Sequence, residues 1–254
     1  MNPIHKPTLS HVIKPLLLSE VDTNESMMTY LLYPNKTIVN PMVAWYIEAE
    51  GAHVLVDTGI NVEDHKKIAN VPMKDIQSFD GALASVGITA DDVDLLILTH
   101  LHYDHAAYAR RCRNATLIVQ EEELRFASSN HPVFKQLYVP AQFDGLKFDA
   151  IKGSMEIMPG ISVLPMRGHT PGCQAVVVET ARGKAVISGM CAIRDNFYPP
   201  EKLKKIWPVI VPAVHVDSLQ SHYDMLRLLE IADILIPHHD IDFARMKAIP
   251  GEEN

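Results

Sequence analysis

A dense group of potential metal ligands occupies six consecutive positions of the chain. His100, His102, Asp104 and His105 follow the order His-x-His-x-Asp-His. Imidazole nitrogens and carboxylate oxygens belong to the donor set that divalent zinc prefers. On an extended turn, His100 and His102 point the same way, whereas Asp104 and His105 lie one step further round. The spacing therefore predicts that one segment supplies ligands to two adjacent metal positions. The alternative is a polar surface loop.

The elements around this motif indicate how it is positioned. Residues 94–98 form an apolar run after a charged turn, which predicts a buried strand directly before the motif. Active-site loops are commonly held at the ends of such strands. Further strands are predicted at 116–119 and 233–236, a hairpin over 174–188, and a helix over 217–231. Strands in two groups, each followed by helices, favour two packed sheets with helices outside.

Length, charge and cysteine content restrict the class of protein. The 254 residues suit one domain over 1–254, in which roughly the first 38 residues form an extension packing on or near the site. A net charge of −8 argues against nucleic-acid binding, which needs a basic surface. No apolar run reaches the roughly 18 residues of a membrane span. Without an export signal, Cys112, Cys173 and Cys191 are expected to be free thiols in the cytoplasm.

Two further segments complete a family resemblance. They are Gly168-His169-Thr170-Pro171-Gly172 and Pro237-His238-His239-Asp240. Together with the first motif they resemble the metallo-β-lactamase superfamily and, within it, most closely the N-acyl-homoserine lactonases. The resemblance covers about residues 40 to 245. It implies an α/β fold, the αββα sandwich of two packed mixed β-sheets with helices on the outer faces, with metals at the sheet edge.

The resemblance also implies a ligand set and a cofactor. One ion would be bound by His100, His102 and His169, and the other by Asp104, His105 and a histidine of the last segment. Of that pair we favour His239, because it directly precedes Asp240, and His238 stays open. Asp57 is interpreted as a carboxylate that orients the metal loop without binding metal. Two zinc ions per chain are expected, with iron or manganese as alternatives.

The chain departs from the lactonase pattern at two points. The lactonases carry a metal-bridging aspartate where this chain has Ile187-Ser188-Gly189-Met190-Cys191-Ala192. Either Met190 replaces the carboxylate, or the Cys191 thiolate binds a metal, which we favour because thiolate is a good zinc ligand; a buried, inert cysteine is the third reading. The lactonases also carry a tyrosine here that contacts the substrate carbonyl. Arg194 is our catalytic candidate in its place, and a solvated surface arginine is the alternative.

These features predict a metal-dependent hydrolase. A metal-bound hydroxide would open a lactone ring, with an N-acyl-homoserine lactone as leading substrate, and Asp104 would pass a proton to the leaving oxygen. Alternatives are hydrolysis of another cyclic ester, cyclic amide, β-lactam or thioester, and a non-catalytic metal-binding protein. The aromatic, proline-rich stretches 127–154 and 192–216 are either surface connections or walls of a substrate pocket. The expected partners are a small-molecule carbonyl compound and, in a homodimer, a second copy of the chain, without nucleic acid or membrane.

Overall fold

Strand periodicity sorts the apolar side chains onto two faces. Residues alternate across a strand, so that Trp45 and Ile47 point to one face while Ala44 and Tyr46 point to the other. The computed structural model describes residues 10–49, 51–69 and 71–251. The first nine residues of the predicted N-terminal extension lie outside this described part.

Seven strands form the first sheet. In spatial order they are β4 (Met73–Asp75), β1 (Val12–Asn24), β2 (Thr37–Ala49), β3 (Ala52–Val56), β5 (Leu95–Ile97), β6 (Thr116–Gln120) and β7 (Phe148–Ile151). β3, β5, β6 and β7 run parallel, and the other pairs are antiparallel. The parallel half brings the carboxyl ends of β3 and β5 to one edge of the sheet.

Five strands form the second sheet. In spatial order they are β12 (Ile234–Ile236), β11 (Gly183–Ile187), β10 (Gln174–Thr180), β9 (Ile161–Pro165) and β8 (Met155–Met158). β11 and β12 are parallel, and the remaining pairs are antiparallel. The predicted hairpin is β10–β11, with Val177 opposite Val186.

Helices cover the outer face of each sheet. The α-helices of the described residues are α1 (Val62–Ile68), α2 (Phe79–Ser85), α3 (Glu121–Ala127), α4 (Pro140–Phe143), α5 (Arg194–Phe197), α6 (Glu201–Lys204), α7 (Ser218–Ile231) and α8 (Ile241–Ala244). Short 3-10 helices are present at Glu25–Met27, Ala90–Asp92, Ala109–Arg111 and Lys135–Leu137. α2 packs on the outer face of the first sheet through Phe79 and Leu83, and α7 packs on the second sheet through Met225 and Leu228.

The main core lies between the sheets. Its buried side chains from the first sheet include Trp45, Ile47, Val54, Val56, Ile97 and Ile118, and those from the second include Ile161, Val163, Val176, Val178, Ile187 and Ile236. The order helix, sheet, sheet, helix confirms the predicted αββα sandwich. No helix of the described chain has the length and apolar content needed to cross a bilayer.

β1, β4 and β7 were not predicted from the sequence. β1 contains Lys14 and Pro15, which interrupt its apolar pattern, yet it pairs with β2 over almost its whole length. Lys14 binds Glu48 through an ion pair of 2.8 Å, and the partner strand on the other side, β4, reaches only Ser19–Val21. Pro15 therefore lies where no second neighbour needs its missing N–H. β7 lies within the stretch 127–154, where no strand pattern was seen in the sequence.

Candidate metal centre

The predicted ligands converge on one edge of the sandwich. Asp57 follows β3 and His100 follows β5 in the first sheet, whereas Cys191 follows β11 and His238 follows β12 in the second. His169 lies in the turn between β9 and β10. Because the carboxyl ends of these parallel strands share an edge, residues far apart in sequence meet there.

His100, His102 and His169 form the first cation group. Nε2 of His100 lies 3.1 Å from Nδ1 of His102 and 3.1 Å from Nε2 of His169. All three side chains are buried. A zinc ion with bonds of about 2.1 Å spaces tetrahedral ligands roughly 3.4 Å apart, so the three nitrogens already approach the separation that such an ion requires.

The positions of the ring protons support a cation at this group. Nδ1 of His169 donates to the Val214 carbonyl at 2.7 Å, and Nδ1 of His100 lies 3.1 Å from Oγ1 of Thr99. With protons there, both Nε2 atoms present bare lone pairs to each other, which is unfavourable unless a cation lies between them. Burial lowers the pKa of all three imidazoles, chiefly by desolvation. They are therefore neutral, as metal ligands must be.

Asp104, His105 and His239 form the second cation group, in which one donor atom of each lies within 4.8 Å of the others. Nε2 of His105 is 3.8 Å from a carboxylate oxygen of Asp104. Nδ1 of His239 faces the Pro41 carbonyl at 3.4 Å, which leaves its Nε2 free of a proton. Desolvation raises the pKa of the Asp104 carboxyl, and the charge of His239 opposes that shift.

Asp57 holds His105 in the orientation that the second group requires. Its carboxylate accepts the Nδ1–H of His105 at 2.8 Å, and the backbone N–H and hydroxyl of Thr99, each at 2.7 Å. A proton on Nδ1 of His105 leaves Nε2 free to bind a metal. Asp57 is fully buried, and desolvation raises its pKa to about 8. The hydrogen bonds from Thr99 lower the pKa but do not offset this effect. Its backbone φ of 57° lies in the left-handed region, which aspartate tolerates better than most residues.

His238 approaches the same Asp57 oxygen as His105. Its Nε2 is 3.4 Å from Oδ2 of the Asp57 carboxylate, and its ring packs edge-on against Trp45. Asp57, His105 and His238 could also be grouped around an ion, but hydrogen bonds already occupy the Asp57 oxygens and Nδ1 of His105. The geometry therefore favours His239 over His238 as a ligand of the second group.

In the segment that lacks the bridging aspartate, Met190 and Cys191 have different surroundings. Met190 is buried in the apolar layer under α7, whereas Cys191 lines the metal cavity. Gly189 has a φ of 68°, and a Cβ there would lie 2.2 Å from the Gln174 carbonyl oxygen, so this position cannot carry a ligand. The Cys191 thiol contacts Sδ of Met28 at 3.3 Å, and burial raises its pKa to about 12. No cation group among the described residues includes Cys191, so its role as a ligand stays a prediction.

Arg194 lies outside the metal cavity. Its side chain is exposed, its guanidinium carbon is 5.8 Å from the centre of the Tyr198 ring, and its backbone N–H donates to Asp240 at 2.8 Å. It lines a neighbouring depression that includes Glu25, Lys36 and His239 of the second cation group. The catalytic role expected for Arg194 stays a prediction from the sequence.

An apolar cavity of about 170 Å³ opens above the two cation groups. Its apolar lining consists of Val21, Met27, Met28, Met42, Ala69, Val71, Leu137 and Val214. Val21, Met27 and Met28 belong to the first 38 residues of the chain, and Met42 belongs to β2. Leu137 and Val214 come from the two proline-rich stretches. Tyr103 lines the same cavity and stacks on His65 with ring centres 6.3 Å apart.

Sequence reasoning missed most of this wall. Val21 and Met42 belong to strands that pair over long distances, and no local pattern marks them as cavity residues. Tyr103 could have been found, because it sits inside the His-x-His-x-Asp-His motif. Thr23, Asn40 and His65 also line the cavity. Wall and cation groups together make a small, largely apolar pocket with a few polar groups, as is typical of ligand sites.

Comparison with known proteins identifies the class. The chain belongs to the metallo-beta-lactamase superfamily, whose family model matches residues 39–238. An N-acyl homoserine lactonase of a Bacillus species is 27% identical over 237 residues, covering 87% of this chain and 90% of that protein. These findings confirm the resemblance seen in the sequence.

Two solved structures share the fold. A quorum-quenching N-acyl homoserine lactone lactonase superposes with a TM-score of 0.75 at 24% identity, covering 92% of this chain and 94% of the other. An N-acyl homoserine lactone hydrolase, solved with its product N-hexanoyl-L-homoserine at the catalytic metal centre, gives a TM-score of 0.73 at 23% identity, with coverages of 92% and 95%.

Proposed function

We propose that this protein is a metal-dependent hydrolase that opens the lactone ring of N-acyl homoserine lactones. The observation that carries the proposal is the pair of adjoining cation groups at the base of an apolar cavity. The relatives of the chain, which are named as lactonases of this substrate class, support it. An apolar wall suits the acyl chain, and the polar base suits the lactone carbonyl.

We propose that each chain holds two zinc ions. His100, His102 and His169 would hold one, and Asp104, His105 and His239 would hold the other, with Cys191 as an additional ligand. Bound zinc lowers the pKa of a coordinated water toward neutrality and polarises a carbonyl oxygen. The donor set of imidazoles and one carboxylate fits zinc.

The side chains of the protein position and protonate the substrate. The apolar wall excludes water from the acyl chain and orients the ring over the cation groups. The Asp104 carboxylate belongs to the second cation group and lines the cavity, and it would accept a proton from the attacking water and deliver it to the leaving ring oxygen. Asp57 keeps the proton of His105 on Nδ1, so that this imidazole stays a ligand and takes no part in proton transfer.

Hydrolysis assays with zinc-loaded protein test the proposal. N-hexanoyl and N-decanoyl homoserine lactone are incubated at pH 7.5, and acid release is followed by titration. We expect turnover with both compounds, loss of turnover after chelation, and a steep loss in Asp104→Asn. A panel with a β-lactam, a thioester and an unrelated lactone separates the alternatives. Turnover of one of these without turnover of the homoserine lactones would assign another substrate, and tight zinc binding without any turnover would favour a binding protein.

We also propose that the chain forms a homodimer in the cytoplasm. Leu31 and Trp207 are 76% and 47% exposed beside an apolar surface cavity of about 440 Å³ that Val209 and Leu219 also line. Exposed apolar surfaces of this kind favour association. The three cysteines are unpaired, which suits a reducing compartment. Light scattering during gel filtration should give twice the chain mass, and Leu31→Glu should halve it.

A further inference from the structure

Glu123 is a fully buried carboxylate that contacts both loops of the first cation group. It is the third residue of α3, and its side chain has no measurable exposure. Within the part of the chain that the structure describes, no lysine, arginine or histidine forms an ion pair with it. A buried, unpaired carboxylate is costly unless hydrogen bonds stabilise its charge, so its position calls for an explanation.

Three side-chain and backbone donors converge on Glu123. The Leu101 N–H and the Tyr138 hydroxyl each donate to Oε1 at 3.0 Å, and the Thr170 hydroxyl donates to Oε2 at 2.5 Å. Burial raises the pKa of the Glu123 carboxyl, and these hydrogen bonds, together with one from the backbone N–H of Gly172, oppose that shift. These donors come from three separate segments of the chain.

Each donor adjoins a histidine of the first cation group. Leu101 lies between His100 and His102, and Thr170 follows His169. The Tyr138 ring packs edge-on against His102 with ring centres 4.9 Å apart. One carboxylate therefore connects the loop after β5 with the turn before β10.

The backbone of Glu123 is in close contact with the same turn. A Cβ at Gly172 would lie 2.1 Å from the backbone nitrogen of Glu123. Only glycine therefore allows the His169 turn to approach α3 so closely. This close contact is independent of the side-chain hydrogen bonds and fixes the turn at the start of the helix.

We propose that Glu123 is the positioning residue of the first cation site, holding His100, His102 and His169 at metal-binding separation. Asp57 has the corresponding role at the second site. The inference rests on the proposed function for the presence of metal, but not for the substrate. Two different buried carboxylates thus control two adjacent sites.

Glu123→Gln is the informative substitution because it keeps the shape of the side chain. The amide group would face only donors. An amide nitrogen at the Oε1 position would break the contact with the Leu101 N–H, which can only donate. At the Oε2 position it would require the Thr170 hydroxyl to turn and accept, so either orientation disturbs one histidine-bearing segment. Outer contacts of this kind typically change metal affinity by about 10- to 100-fold.

The test is zinc titration of metal-free protein against a chromophoric chelator, without substrate. His169→Asn and Asp104→Asn first identify which binding step belongs to which site. We expect Glu123→Gln to weaken the His169-dependent step by about 10- to 100-fold and to leave the Asp104-dependent step within about threefold. Glu123→Asp keeps the charge and should fall between Glu123→Gln and the wild type; it also serves if Glu123→Gln fails to fold.

Glu121→Gln is the matched control, since Glu121 lies in the same helical turn but is 53% exposed and pairs with Lys152 at 2.8 Å. It removes the same charge from α3 and should leave both steps unchanged. Wild-type affinities at both steps in Glu123→Gln, or equal weakening of both, would overturn the inference while leaving the proposed function intact. A wild-type protein that binds no zinc would overturn both proposals. Absence of lactone turnover with the expected zinc profile would overturn only the proposed function.

Discussion

Replacing Asp57 by asparagine should weaken the second metal site selectively. Oδ1 of Asp57 accepts the Thr99 N–H, which can only donate, so the asparagine must keep its oxygen there. Its amide group then faces the Thr99 hydroxyl and Nδ1 of His105. That arrangement favours the His105 tautomer with its proton on Nε2, the nitrogen that would bind metal.

The structure sets the magnitude of this effect. With a cation at the second group, the Asp57 carboxylate would be ionised and its hydrogen bond from His105 would be charge-assisted; such bonds contribute about 1.5–3 kcal/mol. At about 1.4 kcal/mol per tenfold change, this corresponds to roughly 10- to 100-fold in the dissociation constant of the ion. The first site shares no hydrogen bond with the substituted group except through Thr99, so its affinity should stay within about threefold.

Asp57→Asn should weaken metal binding but increase the stability of the metal-free protein. Burial raises the pKa of Asp57 to about 8, so the folded state holds a proton that the unfolded state releases near pH 4. A carboxyl of this kind loses stabilisation as the pH rises from about 4 to about 8. Asp57→Asn removes that dependence. Relative to the wild type, the variant should therefore become more stable between pH 5 and pH 9.

Two measurements check these expectations. Zinc titration against a chelator gives the stepwise affinities, and urea unfolding of metal-free protein at pH 5, 7 and 9 gives the stability. Asp94→Asn is the control, because its carboxylate accepts the His53 N–H at 2.8 Å on the exposed rim, away from the metal centre. The reasoning fails if Asp57→Asn binds the second ion with wild-type affinity, or if both ions are weakened alike.

Three further predictions concern the same centre. Cys191→Ser should lower the zinc content toward one ion per chain, measured by elemental mass spectrometry; an unchanged content of two would remove the thiol from the ligand set. In metal-free protein His169 should cost stability as the pH falls below about 6.5, because burial lowers its pKa to about 4. This contribution is about 3 kcal/mol, so His169→Asn should gain stability relative to the wild type between pH 7.5 and pH 4.5; urea midpoints of the two proteins that change in parallel would contradict this. Arg194→Ala should change kcat/KM for the lactone by less than about threefold if its position outside the cavity excludes it from the reaction; a hundredfold loss would support the catalytic role predicted for it.

The ligand motifs were predictable because the spacing of their residues is local. His-x-His-x-Asp-His and Gly-His-Thr-Pro-Gly are each fixed by a single turn, and each follows or precedes a strand with a clear apolar pattern. The hairpin β10–β11 was predictable for the same reason. Local periodicity determines such elements before any tertiary contact is made.

The remaining features depend on contacts that are distant in sequence. β1 was hidden by Pro15, which is tolerated only because β4 stops short of it. The position of Arg194 follows from the hydrogen bond of its backbone to Asp240, 46 residues away. Glu123 looks like an ordinary helical glutamate in the sequence, since its donors lie 15 to 47 residues away. The roles of these residues therefore depend on contacts with distant segments, which the residue types alone do not reveal.

Both cation groups span the interface between the two sheets. His100, His102, Asp104 and His105 follow a strand of the seven-stranded sheet, whereas His169 and His239 adjoin strands of the five-stranded sheet. A bound ion is therefore a reversible cross-link between the two halves of the sandwich, closing a chain segment of 69 residues in the first group. An ion at a thousand times its dissociation constant adds about 4 kcal/mol to the folded state. The supply of free metal in the cell would thus set the lifetime of the protein as well as its activity.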